Sequence, residues 1–322
     1  MTMAADRAAV EAGYQALRQA VGAVALDRDV LRVAGPGAVD WLQGQLSQDV
    51  AALAPGQSAW SLLLQPQGKV DALVRVTRAG DAELVLDTDG GWGEPVRARL
   101  ERFKLRVKAD VEPLAWQCVG LRGPLAGEVE LGPSDGVTVA HVVPAWPTLL
   151  GLDLLGPALA VPAHVPVVAA EAHEALRIEA GLPRMGAELD ERTIPAEAGV
   201  VAHTVSFTKG CYTGQELVAR IDSRGGHAPR HLRAVVVPDA GAGELPAVGT
   251  AVVVDGKEVG ALTSVAWSPA RGVVALAYVA RAVEPPAAAQ LVPAAGAPMV
   301  ARVETLPLLS DVRASEHGRP AE

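Results

Sequence analysis

Ser206-Phe207-Thr208-Lys209-Gly210-Cys211-Tyr212-Thr213-Gly214-Gln215-Glu216-Leu217-Val218-Ala219-Arg220 is the stretch on which the reading of this chain turns. Gly210 and Gly214 allow close backbone approach or a positive φ within a loop. Gln215 to Arg220 then reads as the first turns of a helix. Cys211 is thereby placed just before a helix N-terminus, with Lys209 beside it. Both features stabilise a thiolate, and both attract other anions such as a ligand carboxylate. A free cysteine that simply fills a small apolar space is the competing reading.

Working outward, the chain upstream of this stretch is mostly α+β in pattern. Val10, Tyr14 and Leu17 recur at helical spacing within residues 4–20, and Val30 to Val33 reads as a strand. Gly35-Pro36-Gly37 opens a helix, with Pro36 expected in its first turn and Val39, Leu42 and Leu46 as its buried stripe. The two glycines resemble the start of a dinucleotide loop, but the third glycine is absent, and a plain strand-to-helix turn is expected. Strands are expected at Leu62 to Leu64, Ala72 to Val76 and Glu83 to Leu86. Asp87-Thr88-Asp89-Gly90 is read as a turn, since it lacks the ligands of a calcium loop.

Residues 97–108 hold six basic side chains against one acid, Glu101. Phe103, Leu105 and Val107 alternate with Lys104, Arg106 and Lys108, which predicts a strand with one cationic face. That face is either an ordinary solvated surface or a guide for an anionic ligand. Further strands are expected over 117–121, 137–143 and 149–154. A helix over 168–180 is stopped by Gly181 and Pro183. From Arg233 to Glu304 the pattern is all-β, with Asp255-Gly256 suited to a tight hairpin, which suggests a small barrel. A disordered tail is expected from about residue 309.

Half of the 322 residues are hydrophobic and only 3% are aromatic, so the core is filled by small aliphatic side chains. The formal charge is −9, which gives no long-range attraction to nucleic acid or an anionic membrane. Direct nucleic-acid binding through Lys104, Arg106, Lys108 and the run Arg220, Arg224, Arg230, Arg233 is disfavoured by the scarcity of stacking aromatics. Two cysteines, Cys118 and Cys211, make no disulfide framework and supply no four-thiolate cluster site. With no signal peptide or apolar span in the pattern, a cytoplasmic monomer without membrane contact or metal is expected.

Lys209-Gly210-Cys211-Tyr212-Thr213-Gly214-Gln215-Glu216 resembles the signature segment of YgfZ-type folate-binding proteins, relatives of the glycine-cleavage T-protein. Trp41-Leu42-Gln43-Gly44-Gln45-Leu46, Gln67-Gly68-Lys69 and Arg177-Ile178-Glu179-Ala180-Gly181-Leu182-Pro183 resemble further family segments. The resemblance implies a three-part α+β ring: two interleaved ferredoxin-like units over residues 1–228 (boundary near 110) and a β-barrel over 229–308. It implies tetrahydrofolate, or a one-carbon derivative, as cofactor. Glu179 is then the pterin acceptor, and Lys209, Gly210, Tyr212, Gly214, Gln215, Glu216 and Arg220 are the signature residues around the ligand. Cys211 is implied as the reactive group.

The function so implied is accessory to iron–sulfur cluster assembly or maintenance, with an indirect effect on tRNA modification. The partners implied are folate and iron–sulfur proteins or assembly factors. The alternative is an enzyme, a tetrahydrofolate-dependent aminomethyl or one-carbon transferase, with Asp71 as its acid or base. Aligned without a gap, the catalytic aspartate of T-proteins falls on Ala72 or Leu73, and Asp71 reaches that register only through a bulge or deletion. His173 stands where some YgfZ-type relatives carry a tryptophan.

Overall fold

A computed structural model describes residues 3–131, 137–223, 225–238, 240–241, 243 and 245–309. The chain opens with helix α1 (Met3–Gln19), whose Tyr14 and Leu17 are buried as their spacing predicts. Strands β1 (Gly22–Leu26) and β2 (Arg28–Ala34) follow, then helix α2 (Ala38–Gln45), which buries Ala38, Trp41 and Leu42. Gly37 is the residue that caps α2, so Pro36 lies outside the helix rather than in its first turn. Next come β3 (Ser58–Leu64), β4 (Val70–Gly80) and β5 (Glu83–Asp89), then helix α3 (Gly93–Arg102) and strand β6 (Asp110–Leu114). Together they form a five-stranded sheet of order β3-β4-β5-β2-β6.

The expected turn at residues 87–90 is instead the end of β5. Asp87 is paired with Val30 in the ladder and buried, because arginines neutralise it inside the sheet. The alternating stretch 97–108 is not a strand either. Its first half ends α3 and its second half is a loop. The backbone shows why: Phe103 N donates to Leu100 O and Lys104 N to Glu101 O, closing the end of α3, and Arg106 then takes a φ of +59°, which interrupts any extended run.

A second sheet has the order β1-β7-β9-β8, from β7 (Gln117–Arg122), β8 (His141–Pro144) and β9 (Gly151–Gly156). Because β1 joins this sheet while β2 joins the first, the two α+β units interleave. Helix α4 (Ala170–Ala180) packs on α1 and ends at Gly181, whose φ of +69° closes the last turn through Leu182 N donating to Arg177 O. Two short helices follow, α5 (Val201–Thr204) and α6 (Gln215–Asp222).

The C-terminal part is a closed barrel of order β10-β13-β12-β11-β14-β15. Its strands are β10 (Arg230–Val237), β11 (Ala251–Val254), β12 (Lys257–Ser268), β13 (Gly272–Ala280), β14 (Ala287–Val292) and β15 (Met299–Glu304). Asp255 and Gly256, at φ +49° and +73°, make the tight hairpin turn that their sequence predicts. Alanine and valine fill the barrel, including Val235, Val252, Ala275, Ala277 and Val303. Each valine so enclosed contributes ~1.5–3 kcal/mol by leaving water. The expected disordered tail lies outside the described residues beyond Leu309.

Candidate functional site

The segments that stood out in the sequence meet in space. The loop 206–214 lies against the C-terminal end of α2 and the turn between β3 and β4. Thr213 N donates to Gly44 O at 3.1 Å, and Ser206 N donates to Ser47 O at 3.0 Å. Gly214, at φ +82°, caps α6, and a Cβ there would lie 2.5 Å from Gln65 O. Gly68, at φ +79°, faces it, and a Cβ there would lie 2.5 Å from Leu217 Cβ. Two backbones cross so closely that only glycine fits at either position. Gly210 differs, since a Cβ there would meet open space.

Lys209 is the clamp of this junction. Its Nζ donates to the carbonyls of Gln43 (2.6 Å), Leu46 (2.6 Å) and Gln48 (2.9 Å). Gln43 and Leu46 lie at the C-terminal end of α2, where carbonyls lack helical partners and a cation is favoured. Burial pulls the Lys209 ammonium down to about 8. The sequence placed this charge beside Cys211 as a thiolate stabiliser; the structure directs it to α2 instead. Tyr212, half-buried with its phenol pushed up to about 12 by burial, sits with its ring centre 5.2 Å from Nζ. Gln215 reaches back from the first turn of α6 to accept from Tyr212 N at 3.1 Å. Cys211, between these anchors, is exposed, as are Glu216 and Arg220 on α6. The loop is fixed on both sides and presents its thiol outward.

Asp71 occupies a neighbouring position. In the β3–β4 ladder Leu63 pairs with Ala72 and Leu64 with Val70, so Asp71 is the extra residue of a β-bulge. This is the irregularity that re-aims a side chain. Its Oδ2 accepts from Arg99 Nε at 2.8 Å, while Arg99 also donates to Gln45 Oε1 and Leu64 O. A cavity of about 170 Å³ opens here, bounded by Leu63, Asp71, Trp92, Val96, Arg99 and Glu191.

Glu179 is elsewhere and is sealed. It is 0% exposed, with Oε2 accepting from Tyr14 OH at 2.8 Å and Oε1 from Ser268 Oγ at 2.5 Å. Burial and the adjacent carboxylate push the Tyr14 phenol well up, so it stays a donor. Glu179 therefore ties α1, α4 and the barrel together, and it does not adjoin the Cys211 loop. His173, six residues earlier on α4, has an enclosed Nε2 without a hydrogen-bond partner. Burial, with help from the Arg122 charge, lowers its imidazole to about 3.

Sequence reasoning missed a buried charge network between the two sheets. Arg75 is fully buried, forks onto Asp87 at 3.0 Å through Nε and Nη2, and donates to Asp153 Oδ2 at 2.5 Å through Nη1. Arg122 meets Asp153 at 2.6 Å, and Arg28 meets Asp87 and Asp89 at 2.7 Å each. Burial pushes Asp153 upward, but Arg122 and Arg75 overcome it and hold the carboxyl at about 2. Cys118 lies inside this region, its thiol pushed up to about 12 by burial. The available signal was a lone charge inside each apolar strand, as in Leu73-Val74-Arg75-Val76 and Leu152-Asp153-Leu154.

Of the cations weighed for nucleic-acid contact, two are already engaged within the chain. Lys104 is paired with Glu101, Arg230 stacks on Tyr278 at 4.3 Å and pairs with Glu197, and Arg224 lies outside the described residues. Among the described residues no group of three or more histidine, cysteine or carboxylate side chains is placed to hold a metal. Among them, too, no helix is long and apolar enough to cross a membrane.

Comparison with known proteins agrees with this architecture. Residues 230–309 match the family model of the glycine cleavage T-protein C-terminal barrel domain. An aminomethyltransferase of Corynebacterium jeikeium is 26% identical over 328 residues, covering 83% of this chain and 81% of that protein. A mitochondrial iron–sulfur cluster assembly factor IBA57 homolog of Chaetomium globosum is 30% identical over 266 residues, covering 72% of this chain and 59% of that protein. An uncharacterized protein of Haemophilus influenzae is 27% identical over 198 residues, covering 61% of this chain and 66% of that one. The crystal structure of the glycine cleavage system aminomethyltransferase T from Bartonella henselae superposes with a TM-score of 0.77 at 22% identity, covering 93% of this chain and 89% of that one. The fold is that of the aminomethyltransferase, and the relatives support the glycine-cleavage T-protein superfamily.

Proposed function

We propose that this chain is a folate-dependent accessory protein that supports iron–sulfur cluster assembly or maintenance in the reducing cytoplasm. The observation that carries the reading is the presentation of Cys211. A flexible loop with a chance cysteine needs no three-carbonyl clamp on Lys209 and no pair of crossing glycines at 68 and 214. A thiol that must meet a partner's metal site needs both a fixed position and solvent access. An effect on tRNA modification would follow through the iron–sulfur enzymes that carry it out. The relative named as an iron–sulfur assembly factor adds to this reading.

In this reading reduced folate binds within the ring, with Glu179 as its pterin acceptor. A carboxylate there accepts paired hydrogen bonds from the amino and ring N–H groups of a pterin. The ligand must take over the places of the Tyr14 and Ser268 hydroxyls, which now satisfy both oxygens. Calorimetry with tetrahydrofolate tests this. Glu179→Ala should weaken binding by ~1.5–3 kcal/mol, the worth of a charge-assisted bond. Unchanged affinity would remove Glu179 from the folate site.

A second reading, aminomethyl or other one-carbon transfer, is favoured by the bulge that turns Asp71 into its cavity. Against it, the Asp71 carboxylate is already engaged by the Arg99 guanidinium at 2.8 Å. Aminomethyl transfer from the carrier protein to tetrahydrofolate that disappears in Asp71→Asn would promote this reading.

A further inference from the structure

We infer that the loop after α3, residues 103–109, is a docking knob for a protein partner offering an apolar recess bordered by carboxylates. This rests on the accessory reading above and supplies the surface that brings the partner to Cys211.

Three observations coincide at this loop. Leu105 stands 83% exposed at its tip, with Phe103 partly exposed beside it. A single exposed leucine is unremarkable by itself. Here the next residue, Arg106, holds a φ of +59°, a left-handed conformation that non-glycine residues seldom adopt and that the surrounding structure must impose. Leu105 N donates to Phe103 O at 3.2 Å, so the tip is a tight turn rather than a loose excursion. The base is fixed as well: Arg99 stacks 3.8 Å above the Phe103 ring, and Gly37 N donates to Lys108 O at 3.1 Å.

The charge is the third observation. Arg102, Arg106 and Lys108, each within three residues of Leu105, are exposed and form no ion pair among the described residues, whereas Lys104 is neutralised by Glu101. Three cations without an ion pair thus flank one apolar tip in the chain, on a protein whose net charge is −9. Such a patch attracts and orients an acidic surface while the rest of the molecule repels it. The same net charge opposes an anionic membrane, and one leucine is a poor membrane anchor. Phe103, though partly exposed, already has Arg99 at 3.8 Å and Arg102 at 5.7 Å from its ring centre, so it does not offer a free stacking face to a base.

Position links the knob to the candidate site. The base of the knob bonds to Gly37 at the start of α2, and the Cys211 loop bonds to Gly44 near its end. Gly37 and Gly44 are seven residues apart on α2 and its cap, so the two attachments are about 10 Å apart along the helix axis. One partner of ordinary size spans both.

The test places a photo-crosslinking benzoylphenylalanine at position 105 in the full chain, and separately a thiol-reactive crosslinker on Cys211, in cells. The expected result is that both positions capture one and the same iron–sulfur protein. Leu105→Asp, or the reversal Arg102→Glu with Arg106→Glu, should lower capture at Cys211 about tenfold or more at unchanged thermal stability. Capture of lipid or RNA at position 105, or full capture at Cys211 by both variants, would overturn the knob and leave the Cys211 reading standing. Capture at neither position, with iron–sulfur enzyme activity independent of Cys211, would overturn both.

Discussion

Lys209→Met keeps most of the buried stem and removes the ammonium that joins the Cys211 loop to α2. Three carbonyls lose their donor at once: Gln43 O, Leu46 O and Gln48 O, at 2.6, 2.6 and 2.9 Å. One hydrogen bond from a charged donor is worth ~1.5–3 kcal/mol, and three converging on one nitrogen do not add. Part of the gain is offset by the burial that pulls the ammonium down to about 8. A loss of roughly 3 kcal/mol in the local stability of the loop follows, or about 100-fold in its opening equilibrium. Hydrogen exchange at pH 6.5, where the wild-type ammonium is charged, reads this directly. The Thr213 and Ser206 amides, which donate to Gly44 O and Ser47 O, should exchange about 100-fold faster. Amides of the β2–β5 ladder should not change. Acceleration below threefold at Thr213, or equal acceleration throughout the chain, would refute the anchoring role of Lys209.

His173 should make stability fall as the medium is acidified. Its folded imidazole is lowered to about 3, so the unfolded chain takes up a proton first, near pH 6.5, and stability is lost below that. At pH 5 the loss is about 2 kcal/mol, and urea unfolding of His173→Gln should show a correspondingly flatter profile between pH 7 and 5. The two thiols should separate cleanly in alkylation. Cys211 is exposed, while Cys118 is buried and its thiol is pushed up to about 12, so a small alkylating agent at pH 8 should label Cys211 alone in the folded chain. Labelling of Cys118 at a similar rate, as seen by mass spectrometry, would contradict this placement.

What was legible in the sequence follows the reach of each signal. Helical spacing of Tyr14 and Leu17, the stop at Gly181 and the Asp255-Gly256 turn are local, and each stands where its residues predict. The barrel was legible because short strands punctuated by turns leave few other closures. The error at 97–108 came from reading alternation where the backbone closes a helix, through Phe103 N to Leu100 O and Lys104 N to Glu101 O, and then turns at the positive φ of Arg106. The bulge at Asp71 needs the partner strand to be seen, since register is a property of two chains of residues and not of one. Arg75 and Asp153 lie 78 positions apart, so their pairing was invisible until the two sheets met. Lys209 was noticed for the right reason, its charge, and given the wrong neighbour. The end of α2 outcompetes Cys211 for it, and only the tertiary contact reveals that.

The most direct test of the central claim compares Cys211→Ser with the wild-type chain in cells lacking the gene, scored by the activity of iron–sulfur enzymes. Serine is close to cysteine in size and the position is exposed, so the fold, the thermal midpoint and tetrahydrofolate affinity should be unchanged. Rescue of iron–sulfur enzyme activity should nonetheless be lost. Full rescue by Cys211→Ser would contradict the account and return the anchored loop to a purely architectural role.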